Sequence, residues 1–260
     1  MNLICPKCRT SSPAGASFCH ACGAILAATT QDGRTIAIFP GQPQPGSPPI
    51  GSGHTRAGLL PGAGTSVQRE LSVLVNDVSP SMEEECDHGI DKHEAAKRAA
   101  IQFVLEKAQI DANDEVALVC FAEFGRIVHP LSPLATHRRT IIQTIQSFQI
   151  EPDTNINEGL KAADSALDWG RRNVTRRIVL LTDGQGGNPL RTAESLKSRG
   201  VVIDVIGVGP NPSQVDEKLL RHVASTVGGE LRYRFIKDHK TLLGHYTQIA
   251  GKTLVAGALH

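Results

Sequence analysis

The sequence predicts an α/β fold: a doubly wound, mostly parallel sheet flanked by helices, with a small cysteine-rich module in front of it. Four continuous apolar runs, rich in Val, Ile and Leu, suit strands buried on both faces: LSVLV, VALVCF, RIVLLT and VVIDVIGVG. The stretches between these runs have the three-to-four-residue apolar spacing of amphipathic helices. Strands that alternate with such helices indicate a parallel sheet with helices on both of its faces.

Three stretches carry the helical spacing: KHEAAKRAAIQFVLEKAQ, NINEGLKAADSALDWG and SQVDEKLLRHVASTVGG. In the first, apolar positions recur from Ala96 to Val104 and charged side chains occupy the other positions. We expect the third helix to stop at Gly228 and Gly229, because glycine commonly ends helices. A short strand is also expected in TIAIF, within residues 35–39.

The 260 residues divide by composition into three zones: a cysteine-rich module at 1–26, a flexible linker at 27–67 and the α/β domain at 68–255. The linker is rich in Pro, Gly, Ser and Thr and offers too little apolar surface to offset the entropy of ordering it. Hydrophobic residues make up 40% of the chain, which is enough for a sizeable core. The net charge of +1 argues neither for nor against a nucleic-acid partner.

We expect a cytoplasmic protein without a membrane-spanning segment. The N-terminal sequence MNLICPKCRT lacks the charged and apolar regions of a secretory signal, and no apolar run approaches the ~20 residues that span a bilayer. Four of the six cysteines form two C-x-x-C pairs within the first 22 residues, which is a metal-site pattern typical of a reducing compartment rather than a disulfide framework.

The paired cysteines predict a structural Zn²⁺ site. Its ligands would be Cys5, Cys8, Cys19 and Cys22. Two facing pairs supply four thiolates in tetrahedral geometry, and such a closed set leaves no position for a substrate. Residues 3–26 resemble the short zinc ribbons at the N-termini of many prokaryotic proteins, and we interpret His20, between the ligands, as a surface residue. Lys7 and Arg9 are the cations of this module, which is little for nucleic-acid binding.

A second metal site is predicted at the carboxyl ends of two strands. Asp77 ends one apolar run, Ser79 and Ser81 follow it, and Asp183 directly follows another run. Ligands of open parallel sheets bind at this edge, so the two carboxylates are expected to converge. An all-oxygen set with two formal charges suits a hard divalent ion that keeps several waters, Mg²⁺ first, with Mn²⁺ or Ca²⁺ as alternatives.

These residues resemble the metal-ion-dependent adhesion site of von Willebrand factor type A domains. The resemblance covers about 68–251 and rests on D-x-S-x-S in NDVSPSM, on Thr154 in EPDTNINEGL and on Asp183 in LTDGQ. It implies a Rossmann-like fold and a divalent ion held by Asp77, Ser79, Ser81, Thr154 and Asp183. It further implies that an Asp or Glu of a protein partner completes the ion's shell, as expected for an intracellular scaffold or assembly factor without enzymatic activity.

The sequence departs from that family pattern at three places. Pro80 stands between the serines where Gly is usual, and Asn76 precedes Asp77 where an apolar residue is usual. Asp153 and the acidic segment EEECDHGIDKHE add negative charge, which should favour a cation and weaken the attraction for an acidic partner.

Two other functions remain as alternatives. A Mg²⁺-dependent phosphatase-like enzyme would use Asp77 as its nucleophile, but Ser79 replaces the second Asp of the D-x-D motif that such enzymes carry. The zinc ribbon could instead bind nucleic acid. Cys86, His88 and His93 lie close in sequence, but we interpret them as part of a solvated loop rather than as a further metal site, and Cys120 as a core residue.

Overall fold

A computed structural model describes residues 68–87, 89–184 and 186–251, together with four two-residue strands nearer the N-terminus. The chain divides into two units, Met1–Val67 and Gln68–His260. In the first unit, Leu3–Ile4 pairs antiparallel with Ser11–Ser12, and Ala28–Thr29 pairs antiparallel with Thr35–Ile36. The last of these strands falls within the predicted TIAIF strand. The predicted zinc ligands Cys5, Cys8, Cys19 and Cys22, and His20, lie outside the described residues.

Six strands form the sheet of the second unit. They are β1 (Arg69–Asp77), β2 (Glu115–Phe121), β3 (Gly125–Pro133), β4 (Val174–Thr182), β5 (Val201–Val208) and β6 (Tyr233–Ile236). Their order is β6–β5–β4–β1–β2–β3, and all neighbours run parallel except β3, which is antiparallel to β2. The four apolar runs are β1, β2, β4 and β5, so the predicted mostly parallel sheet is confirmed.

Helices cover both faces of this sheet. They are α1 (Lys92–Ile110), α2 (Leu134–Gln146), α3 (Ile156–Ala166), α4 (Leu190–Ser198), α5 (Glu217–Val223) and α6 (His239–Ile249). Apolar side chains of α1, α2 and α6 form one core, and those of α3, α4 and α5 form a second core. The predicted doubly wound arrangement is therefore confirmed.

None of the helices in the described ranges combines the length and the apolar character needed to cross a membrane.

The prediction that the helix of SQVDEKLLRHVASTVGG extends to the glycine pair is wrong. Helix α5 ends at Val223, and the residues after it form a hairpin of two strands, Thr226–Val227 and Glu230–Leu231. Gly228 and Gly229 have φ values of 59° and 83° and form the turn of this hairpin. Two-residue turns with positive φ at both positions match the twist of the flanking strands, so the glycines serve a hairpin here.

Buried ion pairs link α1 to the sheet at the end of the strands opposite to Asp77. Lys107 of α1 lies 2.6 Å from Glu70 and 3.3 Å from Asp114, and all three side chains are fully buried. Arg177 of β4, also buried, lies 2.7 Å from Asp204 of β5. Buried charges are tolerated only when they are paired, so these contacts fix the register of α1 and the strands.

The strand order reverses between β1 and β4. From β1 the chain proceeds to β2 on one side, whereas β4 lies on its other side. Asn76, next to the last residue of β1, is in register with Leu181, next to the last residue of β4. The two strands therefore end together at the point where the loops diverge, which is the edge where open α/β sheets bind ligands.

Candidate metal centre

The loop after β1 presents Asp77, Ser79 and Ser81 in a fixed geometry. Asp77 is 1% exposed, and its Oδ1 accepts a hydrogen bond of 3.0 Å from the backbone N–H of Ser79. Pro80 opens a 3-10 turn over Pro80–Glu83. At this first position the N–H that proline lacks would have no partner within the turn, so Pro80 stiffens the loop without loss of a hydrogen bond. The departure from the usual Gly is therefore compatible with the loop.

The end of β4 brings its side chains to the same place. Thr182 donates a hydrogen bond of 2.6 Å from Oγ1 to Oδ2 of Asp77. Ser81 donates from Oγ to Oδ1 of Asp183 at 2.9 Å, and the hydroxyls of Ser79 and Ser81 are 3.2 Å apart. Four of the five residues predicted to hold a divalent ion thus lie together. Thr182 is an additional member that the sequence analysis missed, although its place directly before Asp183 was a usable signal.

Thr154, the fifth predicted residue, lies on the loop before α3. The backbone N–H of Ile156 donates to the carbonyl of Gly186 at 3.3 Å, and a Cβ on Gly186 would overlap the carbonyl oxygen of Thr154. Thr154 is therefore next to the loop that follows Asp183. Within the described ranges its hydroxyl has no hydrogen bond to the other four predicted residues.

The loops around the site are tied to one another by backbone hydrogen bonds. The N–H of Glu151 donates to the carbonyl of Val78 at 2.8 Å, and the N–H of Val78 donates to the carbonyl of Phe121 at 3.0 Å. Asp153 has a positive φ of 70° and accepts the N–H of Thr154 at 2.7 Å. These bonds hold the middle loop beside the loop after β1, so Thr154 is positioned by the backbone rather than by its own side chain.

Lys92, the first residue of α1, reaches into the site, which the sequence analysis did not predict. Its Nζ lies 2.9 Å from Oδ2 of Asp183, 2.8 Å from Oε2 of Glu84 and 3.2 Å from the carbonyl oxygen of Ser81. Burial acts to lower the pKa of Lys92, but the hydrogen bonds with Glu84 and Asp183 outweigh this effect and raise the pKa. Lys92 therefore carries a positive charge here at neutral pH.

Burial raises the pKa of Asp77 from 3.8 to about 6, although its hydrogen bonds with Ser79 and Thr182 act in the opposite direction. The negative charge of Asp183 adds to the rise. A buried carboxylate without a charged partner is disfavoured as an anion, because it has lost its hydration. A cation close to Asp77 would offset this cost.

The oxygen atoms present fit a small divalent ion. In octahedral coordination with bonds of about 2.1 Å, adjacent ligand oxygens are about 3.0 Å apart. The separations of 3.2 Å between Ser79 and Ser81 and 2.9 Å between Ser81 and Asp183 match that edge. In the described ranges, this site included, no group of three or more His, Cys, Asp or Glu side chains is placed to hold a metal. The candidate ion site is therefore rich in hydroxyl oxygens and carries few charged ligands.

The other residues noted in the sequence have ordinary surroundings. Cys120 is buried in β2, and burial raises the pKa of its thiol to about 12, so the thiol is unreactive at neutral pH. This confirms the interpretation of Cys120 as a core residue. His93 contacts the carbonyl oxygen of Phe148 at 3.1 Å, and Cys86 is a buried free thiol, whereas His88 lies outside the described residues.

Comparison with known sequences identifies relatives of this domain. The family model described as the von Willebrand factor type A domain matches residues 72–185. Calcium-activated chloride channel regulator 3A-1 of Mus musculus is 27% identical over 186 residues, which cover 70% of this chain and 19% of that protein. The uncharacterized protein YwmC of Bacillus subtilis (strain 168) is 25% identical over 175 residues, which cover 62% of this chain and 74% of YwmC. The chain spans about a fifth of the length of the chloride channel regulators that it matches.

Solved structures share the fold. An aerotolerance-related membrane protein from Bacteroides fragilis NCTC 9343 has a TM-score of 0.57 at 21% identity, covering 71% of this chain and 100% of that chain. The pilus adhesin SpaC of Lactobacillus rhamnosus GG has a TM-score of 0.61 at 15% identity, covering 71% of this chain and 30% of that chain. Likeness at these identities shows the fold alone. Residues 72–185 are thus similar to the von Willebrand factor type A family model, and the solved structures share the α/β fold with its mostly parallel sheet.

Proposed function

We propose that this domain binds a protein partner through a divalent ion, with Mg²⁺ as the first candidate and Mn²⁺ or Ca²⁺ as alternatives. Its ligands would be Asp77, Ser79, Ser81, Thr154 and Asp183. The observation that carries the proposal is the convergence of two hydroxyls and Asp183 at separations suited to one ion, beside the buried Asp77 that accepts from Ser79 N. Domains of this family are interaction modules, and a bound ion would supply an electrophilic centre for a partner's oxygen.

The distribution of hydrogen bonds supports different tasks for the two carboxylates. Both oxygens of Asp77 accept hydrogen bonds from within the fold, from Ser79 N and Thr182 Oγ1, so Asp77 supports the site from below. Asp183 is 8% exposed and Ser81 is partly exposed, so both are more accessible than Asp77. An ion held there by few protein charges would keep much of its own charge. Such an ion favours an Asp or Glu of the partner as a further ligand.

The acidic surroundings are less repulsive to such a partner than the sequence suggests. Glu84 is paired with Lys92, and Glu94 is paired with Arg98 at 2.8 Å. Part of the negative charge of the segment EEECDHGIDKHE is therefore neutralised within the domain. An acidic side chain of the partner is compatible with this balance.

The proposal extends to the whole chain as a cytoplasmic scaffold or assembly factor that carries a structural Zn²⁺ on its N-terminal ribbon. The C-x-x-C spacing supports the zinc site, and the same cysteine pattern supports a reducing compartment. We propose no enzymatic activity. The described hydrogen-bond partners of Asp77 are the backbone amide of Ser79 and hydroxyl groups, none of which would act as its general base.

Capture of proteins from the native host by the immobilised full-length chain tests the ion-dependent contact. Wild-type protein is compared with and without added Mg²⁺, beside Asp77→Ala and Asp183→Ala. Asp168→Ala is the matched control, because Asp168 is an exposed carboxylate paired with Arg171 at 2.8 Å, away from the site. We expect a defined protein that is captured with Mg²⁺ by the wild type and the control, and that is lost without Mg²⁺ or with either site variant.

Two other outcomes would contradict the proposal. Equal capture in all samples would mean that the ion does not bridge the two proteins, and the acidic segment 83–94 would then be the better contact surface. Phosphatase turnover that requires Asp77 would instead favour the enzymatic alternative. Chelators are unsuitable for this comparison, because they would also remove zinc from the N-terminal cysteines.

A further inference from the structure

Lys92 is the one ammonium group that the described residues place against a predicted ion ligand, and its role is not part of the function proposed above. The side chain is 3% exposed and contacts Asp183, Glu84 and the carbonyl of Ser81 at 2.8 to 3.2 Å. We propose that Lys92 is a tethered counter-cation of the ion site, which lowers its affinity for a free divalent ion and adapts the loaded site to an acidic partner. This inference rests on the proposed ion site.

The contacts of Asp183 show how Lys92 acts on the site. The carboxylate faces two ways: Oδ1 accepts from the hydroxyl of Ser81, and Oδ2 accepts from Nζ of Lys92. An ion bound beside Ser81 would therefore share Asp183 with the ammonium group. Like charges attached to one carboxylate repel each other, and burial limits the screening of this repulsion by water and salt.

The position of Lys92 is fixed by its own backbone. Its N–H donates to the carbonyl of Glu84 at 3.0 Å, and the side chain of the preceding Asp91 caps α1 by accepting from Glu94 N at 2.6 Å. The ammonium therefore starts from the rigid end of a helix and is held by three oxygen atoms. With Glu84 and the carbonyl of Ser81 as its other partners, the ammonium group would stay beside Asp183 when an ion binds, and its charge would add to that of the ion.

Charge balance explains why such a group suits an acidic partner. The carboxylates of Asp77, Asp183 and Glu84 contact Ser79, Ser81 or Lys92, and a divalent ion together with Lys92 would carry the charge that balances these three. Without Lys92 the loaded site would have one negative charge in excess. It would hold the ion more tightly and repel a partner's carboxylate. Lys92 thus lowers the intrinsic affinity of the site for the ion and makes the loaded site compatible with an acidic ligand.

Calorimetric titration of the full-length, zinc-containing protein with Mg²⁺, and separately with Mn²⁺, tests this inference. We compare the wild type with Lys92→Met, which keeps much of the side-chain volume and removes the charge, and with Lys92→Gln, which also keeps hydrogen-bond donors. Lys161→Met is the matched control, because Lys161 is exposed and pairs with Glu158 of its own helix. The Kd for both ions should fall about tenfold or more in the two Lys92 variants and stay unchanged in the control.

A purely structural role of Lys92 would give a different result, because loss of support for Asp183 would weaken ion binding. If the wild type binds the ion and the Lys92 variants have an unchanged or increased Kd, the counter-cation role of Lys92 is refuted. The proposed ion site itself is not refuted by that result. If no protein binds either ion, the ion site and the counter-cation both fail. Binding by the variants alone supports the inference. If circular dichroism shows that Lys92→Met does not fold, the Kd of Lys92→Gln is compared with that of the wild type instead.

Discussion

The buried carboxylate of Asp77 should make the ion-free domain less stable at neutral pH than it would be without this charge. The rise of its pKa from 3.8 to about 6 means that the folded state holds the proton more tightly than the unfolded chain. Its stabilising contribution is therefore complete below pH 3.8 and is lost as the pH rises through about 6. At about 1.4 kcal/mol per pKa unit, the loss amounts to about 3 kcal/mol at pH 8.

The substitution Asp77→Asn removes this loss while it keeps the shape of the side chain. The amide oxygen can accept the N–H of Ser79, and the amide nitrogen can donate to the hydroxyl of Thr182, which accepts as well as donates. Reversal of this second hydrogen bond costs about 1 kcal/mol. Without added divalent ion, the variant should therefore be about 2 kcal/mol more stable than the wild type at pH 8. At pH 4.5 the two proteins should have nearly equal free energies of unfolding.

Urea unfolding followed by tryptophan fluorescence measures this difference. The chain has one tryptophan, Trp169, which lies in the second unit and so reports on the domain that contains Asp77. Asp168→Asn is the control for an exposed carboxylate. Saturating Mg²⁺ should stabilise the wild type and leave Asp77→Asn unchanged, because ligand binding to the folded state raises its stability. A variant that is less stable than the wild type at every pH, by a constant amount, would refute the reasoning about burial.

Three further predictions concern other parts of the chain. Elemental analysis of protein purified without chelator should show about one zinc per chain, and Cys19→Ala should lower the zinc content. Gly186→Ala should weaken Mg²⁺ binding in calorimetry and lower the free energy of unfolding, because the position has a φ of 133° and a Cβ there would overlap the carbonyl of Thr154. Lys107→Met should destabilise the domain by about 3–5 kcal/mol in urea unfolding, because it removes a buried cation that contacts two buried carboxylates, Glu70 and Asp114. A loss below about 1 kcal/mol would contradict this.

The site residues that directly follow a strand could be predicted from the sequence. Asp77 and Asp183 each follow a continuous apolar run, and the carboxyl ends of parallel strands meet at one edge, so their convergence could be predicted without coordinates. Ser79 and Ser81 were predictable for the same reason, since they are tied to Asp77 by a short loop. The same logic gave the strands β1, β2, β4 and β5, whose buried residues leave little choice of structure.

The role of Lys92 could not be predicted in this way, because its position depends on the structure of the acidic segment between Ser81 and α1. Between Ser81 and α1 the chain forms a two-stranded hairpin of Glu85–Asp87 and Ile90–Asp91, which returns the start of the helix to the loop after β1. Nothing in the periodicity of this acidic stretch shows which charged side chain turns inward. The end of α5 was mispredicted for a related reason, since a glycine pair suits a helix end and a hairpin turn equally well.

The opposite surroundings of the two carboxylates explain how stability and ion binding are connected in this domain. Asp183 has a cation within the fold, Lys92, so its charge is balanced before any ion binds. The described partners of Asp77 are the backbone amide of Ser79 and the hydroxyls of Ser79 and Thr182, which do not offset the effect of its burial. A divalent ion therefore relieves an unfavourable charge at Asp77 and meets repulsion at Asp183. Because these effects oppose each other, the ion alone should bind weakly, and the carboxylate of a partner supplies the additional negative charge that favours the loaded state. By linkage, the ion must strengthen partner binding by the same factor as the partner strengthens ion binding.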